Sequence, residues 1–467
     1  MTSQTADHLI TYPFDRGLTP TDAYRIRVDG HPVAAYDSLI NAPDDCALCI
    51  FDITGPVRVE ITVPMPLQSV KVRPASAGIC AAIDGQTFSF ELTQPRKLCI
   101  EINGSLAYPL FLFVSQPEQD APSPDDPNVI YFGSGLHEPG KVMLQEGQTA
   151  YLAGGAVVRG HFAAKDVHHV RILGRGILDA SANRASMITM TRCTDVLIEG
   201  VTILKQPPFF WTTSFWSCDD LRISNLKILA GDSFSNDGID LVSCHRALVE
   251  DCFVKCYDDC IVVKAFHTDG RTAENITVRK CLLWNIQAYG VNIGPELHTT
   301  EVRDITITDC DIINPQHTET DPNDDYFFYC GVLGIVNGGD AVVSNVLFDD
   351  IRIENPTAKL ISIKIMKEAV WNKGCTAYGE IRDVLFRNVR VLDGPFLPSE
   401  ILSNIAPEGY NRAEPERNHI ITNITFENLR ILGTPIRSAQ QGCFIVNPHA
   451  RGLRFIVTDD AAGHTPA

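Results

Sequence analysis

Hydrophobic and polar positions alternate in short runs through residues 1 to about 116, as in Ala23–Val28 (AYRIRV), Val57–Val63 (VRVEITV), Phe88–Leu92 (FSFEL) and Leu98–Ile102 (LCIEI). A period of two places every second side chain on one face, and Gly, Pro and Asp between the runs supply turns. This pattern predicts an antiparallel β-sandwich. Glu118–Pro127 (EQDAPSPDDP), acidic and proline-rich, then reads as a linker. The predicted domains are therefore 1–127, sandwich plus linker, and 128–467.

In the second region a unit recurs: a strand of the form x-φ-x-φ, a polar or glycine corner, and a second apolar strand. It is seen in VLIEGVTIL (Val196–Leu204), LRISNLKIL (Leu221–Leu229), ALVEDCFV (Ala247–Val254), ITVRKCLL (Ile276–Leu283) and ITITDCDII (Ile305–Ile313). VLFDDIRI (Val346–Ile353), VLFRNVRV (Val384–Val391) and ITFENLRI (Ile424–Ile431) continue it. With the second apolar residue of each unit as marker (Ile198, Ile223, Val249, Val278, Ile307, Phe348, Phe386, Phe426), the steps are 25, 26, 29, 29, 41, 38 and 40 residues. No helical period intervenes, and the corners lack the Asn-Gly pairs expected of hairpins. One such coil cannot bury its apolar face, whereas stacked coils share a continuous core. The expected fold is a right-handed parallel β-helix, all-β, behind the sandwich, with the longer later steps carrying loop insertions.

Cysteine positions agree with that register. Cys193, Cys218 and Cys244 each precede a marker by five residues, and Cys252, Cys281 and Cys310 each follow one by three. Residues at equivalent positions of stacked coils meet, so these are two ladders of small buried side chains rather than a disulfide framework or a metal site. Composition narrows the partners. A net charge of -18 disfavours nucleic acid and anionic membranes, and no apolar run approaches the roughly 20 residues of a membrane span. The opening MTSQTADHLITYPFDRG lacks a basic start followed by an apolar stretch, so a cytoplasmic protein is expected.

Two corners carry acids that stacking would bring together: Ser235-Asn236-Asp237-Gly238-Ile239-Asp240 and, 21 residues later, Tyr257-Asp258-Asp259-Cys260-Ile261. Asp237, Asp258 and Asp259 can then converge on adjacent rungs. Carboxyls in such a group raise one another's pKa, which keeps one protonated for a leaving oxygen and another ionised for a water. Asp-Gly and Asn-Asp pairs are also ordinary turn formers, and clustered acids also suit calcium. Spacing alone leaves these three readings open.

At these residues the chain resembles the right-handed β-helix glycosidases that include polygalacturonases and dextranases, glycoside hydrolase families 28 and 49. Their blocks Asn-Thr-Asp-Gly, Gly-Asp-Asp-Cys/Ala-Ile-x-Ile-Lys and Gly-His-Gly-x-Ser-Ile-Gly correspond to Ser235–Asp240, Tyr257–Lys264 and Ala288–Glu296. Gln206-Pro207-Pro208-Phe209-Phe210-Trp211 stands where the family often has Ser-Pro-x-Trp. The resemblance runs from about Asn128 to Asp393, and a sandwich ahead of the helix is similar to the dextranase side.

It implies an inverting glycoside hydrolase without cofactor or bound metal. Asp258 would be the general acid, with Asp237 and Asp259 activating water, and the acid and base roughly 6.5–9.5 Å apart. Lys264, Tyr289, Glu296 and Trp211 would line the substrate cleft, with Trp211, together with Trp216, stacking on a sugar. The family pattern is broken in two places. Tyr289 replaces the histidine. The best match to Arg-Ile-Lys is Cys330–Asn337, without a cation, and Ser362-Ile363-Lys364 resembles only its tail, one coil on. Arg and Lys there would clamp a uronate carboxylate. Their loss favours a neutral, glucan-like oligo- or polysaccharide over pectin fragments. The acidic and aromatic Gln316–Tyr329 would close one end of the cleft for exo action on short imported chains. A calcium-dependent polysaccharide lyase and a non-catalytic sugar-binding solenoid remain alternatives. An uncapped helix end or the sandwich offers a surface for self-association.

Overall fold

A computed structural model describes residues 3–6, 8–14, 16–40, 45–181, 186–206, 210–231, 235–266, 270–317, 331–366, 378–405 and 420–458. The chain is a right-handed parallel β-helix preceded by sandwich-like sheets. Among the described residues no helix is long and apolar enough to cross a membrane. Two compact units build it: Met1–Asp240 with Leu248–Ile261 and Cys281–Ile286, and Leu241–Ala247 with Val262–Lys280 and Gln287–Ala467.

In the first unit, the strands Ala82–Asp84, Thr87–Leu92, Val57–Thr62, Arg25–Val28 and His31–Val33 form one sheet in that order. A second sheet runs from Ser3–Ala6 through Leu9–Thr11, Ala47–Ile53, Ser105–Ser115 and Lys97–Ile102 to Val70–Arg73. Val28, Phe51, Val59, Phe88, Leu98 and Leu112 meet in their shared core. One pairing departs from the antiparallel expectation: Ser105–Ser115 runs parallel to Ala47–Ile53, with Leu110 opposite Ala47 and Val114 opposite Phe51.

Ala47–Ile53 and the stretch Pro109–Ser115 of its partner are buried on both faces, because the same unit packs solenoid coils against their outer side. Leu110, Leu112 and Val114 point into the sandwich core. Phe111 and Phe113 take the opposite face and pack on Phe253, with ring centroids 4.9 and 5.0 Å apart. From the neighbouring strand, buried Asp52 reaches the Arg175 guanidinium at 3.1 Å and accepts a hydrogen bond from the Tyr12 hydroxyl at 2.7 Å. Burial, and then the adjacent Asp52 carboxylate, push the Tyr12 hydroxyl pKa far up. Gly154 is required beneath that ring, since a β-carbon there would lie 2.0 Å from Tyr12 Cδ1. The predicted linker is tied down at its start, where Glu118 accepts a hydrogen bond from Tyr151 at 3.0 Å.

The solenoid register follows the marker residues. In the first unit Ile172 pairs with Ile198 and Ile198 with Ile223. In the second, Val278 pairs with Ile307, Ile307 with Phe348, Phe348 with Phe386 and Phe386 with Phe426. The later steps lengthen without breaking the ladder, as loop insertions should. The polar corners have a backbone reason. Asn225, Asp251, Asp309, Asp350, Asn388 and Asn428, two residues after their markers, are left-handed with φ between 50° and 56°; Lys280 shares that conformation, and Gly200 takes the place at 85°. Asn and Asp tolerate that region best among residues with a β-carbon. The cysteine ladders are buried as expected, and Cys252 Sγ lies 3.7 Å from the Ile223 carbonyl one coil away.

In the second unit Phe348, Phe386 and Phe426 stack with centroids 4.6 and 5.1 Å apart, and Phe426 and Phe455 follow at 4.7 Å. Truncating the middle ring removes contacts with both neighbours. Phe386→Ala is expected to cost about 3–5 kcal/mol, and Phe386→Leu clearly less. Urea unfolding followed by circular dichroism measures both.

Candidate functional site

The three acids lie in one unit, on corners that hydrogen bonds place side by side. Gly238 N donates to the Asp259 carbonyl at 2.9 Å and Ile239 N to that of Cys260 at 3.0 Å. On the preceding rung Thr212 N donates to the Asp237 carbonyl at 2.7 Å and Thr213 N to that of Gly238 at 3.0 Å. The one-residue offset of a parallel ladder therefore sets Trp211, Asp237 and Asp259 in a single column. It is the offset by which Phe162, paired with Ile188, bonds the Met187 carbonyl.

Close approach of these turns depends on Gly238. A β-carbon there would meet Val254 Cγ1 at 2.4 Å and the Cys260 carbonyl at 2.5 Å. Asn236, which the motif reading passed over, pins the first turn from inside. Its amide donates to the Gly231 carbonyl at 2.8 Å, and its oxygen accepts from the Thr212 hydroxyl at 3.3 Å.

Oxygens of Asp237, Asp258 and Asp259 all lie within 4.8 Å of one another. Asp237 and Asp259 are nearly covered, at 3% and 4% exposure, whereas Asp258 is half-buried. Backbone amides orient the Asp258 carboxyl: Ser235 N donates to Oδ2 at 2.9 Å and Asp259 N to Oδ1 at 3.0 Å. The 4.8 Å contact corrects the wide acid–base gap expected from sequence. Asp237 and Asp259 stand one rung of about 4.8 Å apart, and Asp258 directly precedes Asp259, so all three carboxyls are drawn to one place.

Below the trio, Cys256 and Cys260 place their sulfurs 3.6 Å apart. Burial, then Cys260 and the charges of Asp237 and Asp258, hold the Cys256 thiol well above its ordinary pKa, so it stays protonated. Among the described residues, the group with metal-ligand spacing is the acid trio, without these cysteines.

The other expected cleft residues are more enclosed than the motif suggests. Trp211 is 9% exposed; it stacks on Trp216 at 5.5 Å and is flanked at 5.4 Å by Phe210, which is 50% exposed. Sequence reasoning missed Phe210, although it directly precedes Trp211 in the same block. Pro207, Pro208 and Phe209 of that block lie outside the described residues, as do Cys330 and 318–329 of the expected cleft-closing segment.

In the second unit Lys264 is buried rather than lining an open cleft, and its ammonium lies 3.8 Å from the Glu296 carboxylate. An ammonium removed from water needs such a partner. Tyr289 is likewise interior, in a small cluster with Ala288, Val336 and Met366, and its hydroxyl donates to Ser362 Oγ at 3.3 Å. Its ring lies over two glycines. A β-carbon at Gly331 would sit 2.8 Å from Tyr289 Cε1, and one at Gly334 2.6 Å from Cδ1. Ser362 pairs with Gly334, which places Ser362-Ile363-Lys364 one coil beyond the cation-free segment, as the sequence suggested. Lys364 is buried 2.8 Å from Glu400, whose other oxygen is 3.0 Å from Lys359. Burial alone would raise the Glu400 pKa, but Lys364 and then Lys359 outweigh it and hold it below the ordinary range.

Comparison with known proteins agrees with this architecture. The model of glycosyl hydrolases family 28 matches residues 163–319, about a third of the chain, including the three acids. Dex49A from Penicillium minioluteum superposes with a TM-score of 0.67 at 14% identity, covering 97% of this chain and 99% of its own. A hyperthermoactive exopolygalacturonase from Thermotoga maritima gives 0.52 at 18% identity, covering 71% of this chain and 84% of its own. At such identities the likeness is one of fold. No curated protein matches the chain by sequence.

The packing at Gly238 is testable directly. Gly238→Ala is expected to lower stability by about 1–3 kcal/mol through overpacking, whereas Gly55→Ala is expected to be near neutral. A β-carbon at Gly55 meets nothing within 4 Å. Thermal melts of the two variants provide the comparison.

Proposed function

We propose that this chain, a glycoside hydrolase of the parallel β-helix type found in families 28 and 49, inverts the anomeric centre of a neutral, glucan-like oligo- or polysaccharide. What supports the reading is the convergence of three carboxyls within 4.8 Å on corners that match the family blocks. Asp258, the most accessible of the three, gives its proton to the glycosidic oxygen as the bond to the anomeric carbon breaks. A water held between Asp237 and Asp259 loses a proton to one of them and attacks the opposite face of the sugar. Two carboxylate oxygens at that spacing can share one water, each at ordinary hydrogen-bond distance of about 2.7 Å. Proton return from the base to Asp258 through solvent completes the cycle.

The neutral substrate is supported by the fate of the cations. Gly331–Asn337 contains none, Lys364 is committed to Glu400, and Lys264 is committed to Glu296. A uronate carboxylate would find no clamp of the Arg-Ile-Lys kind in this segment. One observation favours a second reading. Three carboxylates this close suit a divalent cation, as a calcium-dependent lyase would require.

Asp258→Asn is expected to lower kcat about 10²–10⁴-fold with an unchanged circular dichroism spectrum. Near-normal turnover of that variant would remove Asp258 from the chemistry. Proton NMR of the nascent reducing end should show the inverted anomer, and retention would mean that one carboxylate attacks the sugar itself. Chelator treatment should leave hydrolysis unchanged. Loss of activity restored by calcium, with unsaturated products, would establish the lyase.

A further inference from the structure

Phe210 is a large aromatic side chain with half of its surface open, which is unusual only because of what stands behind it. Trp211 lies against it at 5.4 Å with an interplanar angle of 35°, and Trp216 backs Trp211 at 5.5 Å and 24°. Three rings in sequence make a stiff support with one exposed outer member. Trp211 itself, at 9% exposure, has little face to offer. The position is as informative as the exposure. Trp211 stands in the same column as Asp237, one rung of about 4.8 Å away, and Phe210 is the adjoining residue.

We propose that Phe210, buttressed by Trp211 and Trp216, is the stacking platform of a substrate subsite next to Asp237, occupied by the C–H face of a neutral pyranose. This rests on the hydrolase reading above. An aromatic ring carries a negative face that attracts the slightly positive C–H groups of a sugar, and it removes apolar area from water without demanding a charge. Phe also has no polar tip, so the platform binds by shape. The contact is made before and during bond cleavage alike, and uniform binding of this kind is expressed in KM rather than kcat.

The test compares Phe210→Ala with Phe210→Tyr on neutral oligosaccharides of increasing length. Tryptophan fluorescence is titrated in parallel with the same sugars in the Asp258→Asn background. Phe210→Ala should raise KM about five- to tenfold with kcat within about twofold, and Phe210→Tyr should restore the KM. Sugar should change the fluorescence of Trp211 and Trp216 in Asp258→Asn, with a weaker apparent affinity once Phe210→Ala is added. Unchanged KM and unchanged titrations would overturn the platform. Should the parent hydrolyse no glycan, the hydrolase reading falls separately, while a sugar titration weakened by Phe210→Ala would still support the platform.

Discussion

Hydrogen bonding between successive coils fixes the distance from one rung to the next at about 4.8 Å, and almost everything at the acid site descends from that spacing. It brings Asp237 opposite Asp259 without any long-range design beyond two corners in register. It also draws those carboxyls to one place, so the water must be accommodated by sharing rather than by a wide gap. Gly238 is the local price of the arrangement, since any larger residue would push Val254 and the Cys260 carbonyl out of the stack. The chemistry here depends on the register of the two corners, since a slip of one residue would set Asp237 opposite a residue other than Asp259.

The same spacing made much of the fold legible. Marker residues taken from the apolar pattern, such as Ile198 with Ile223 and Ile307 with Phe348, are ladder partners. They remain so across steps of different length, because insertions bulge out as loops and leave the core strands in place. Polar corners were readable because the left-handed backbone there selects Asp and Asn. The convergence of the three acids followed from the same register.

What the pattern did not carry is the direction and company of individual side chains. A motif position alone gives no sign that Lys264 is committed to Glu296, or that Tyr289 lies across Gly331 and Gly334. Those outcomes depend on partners 32 to 45 residues away in sequence, on other coils. Phe210 was hidden for a similar reason, since nothing local says which ring of Phe209-Phe210-Trp211 turns outward. The double-sided burial of Pro109–Ser115 did have a signal, in the unbroken apolar run Leu110–Val114. A strand facing solvent on one side would have alternated.

That run has an implication for what holds the first unit together. Phe111 and Phe113 fit against Phe253, and Asp52 neutralises an Arg175 that is shut away from water. Cutting the chain between sandwich and solenoid would bare a greasy wall and strand a guanidinium without its counter-charge. The sandwich sheets and the coils packed on them in the first unit therefore hold each other in place, and neither keeps its buried surface without the other.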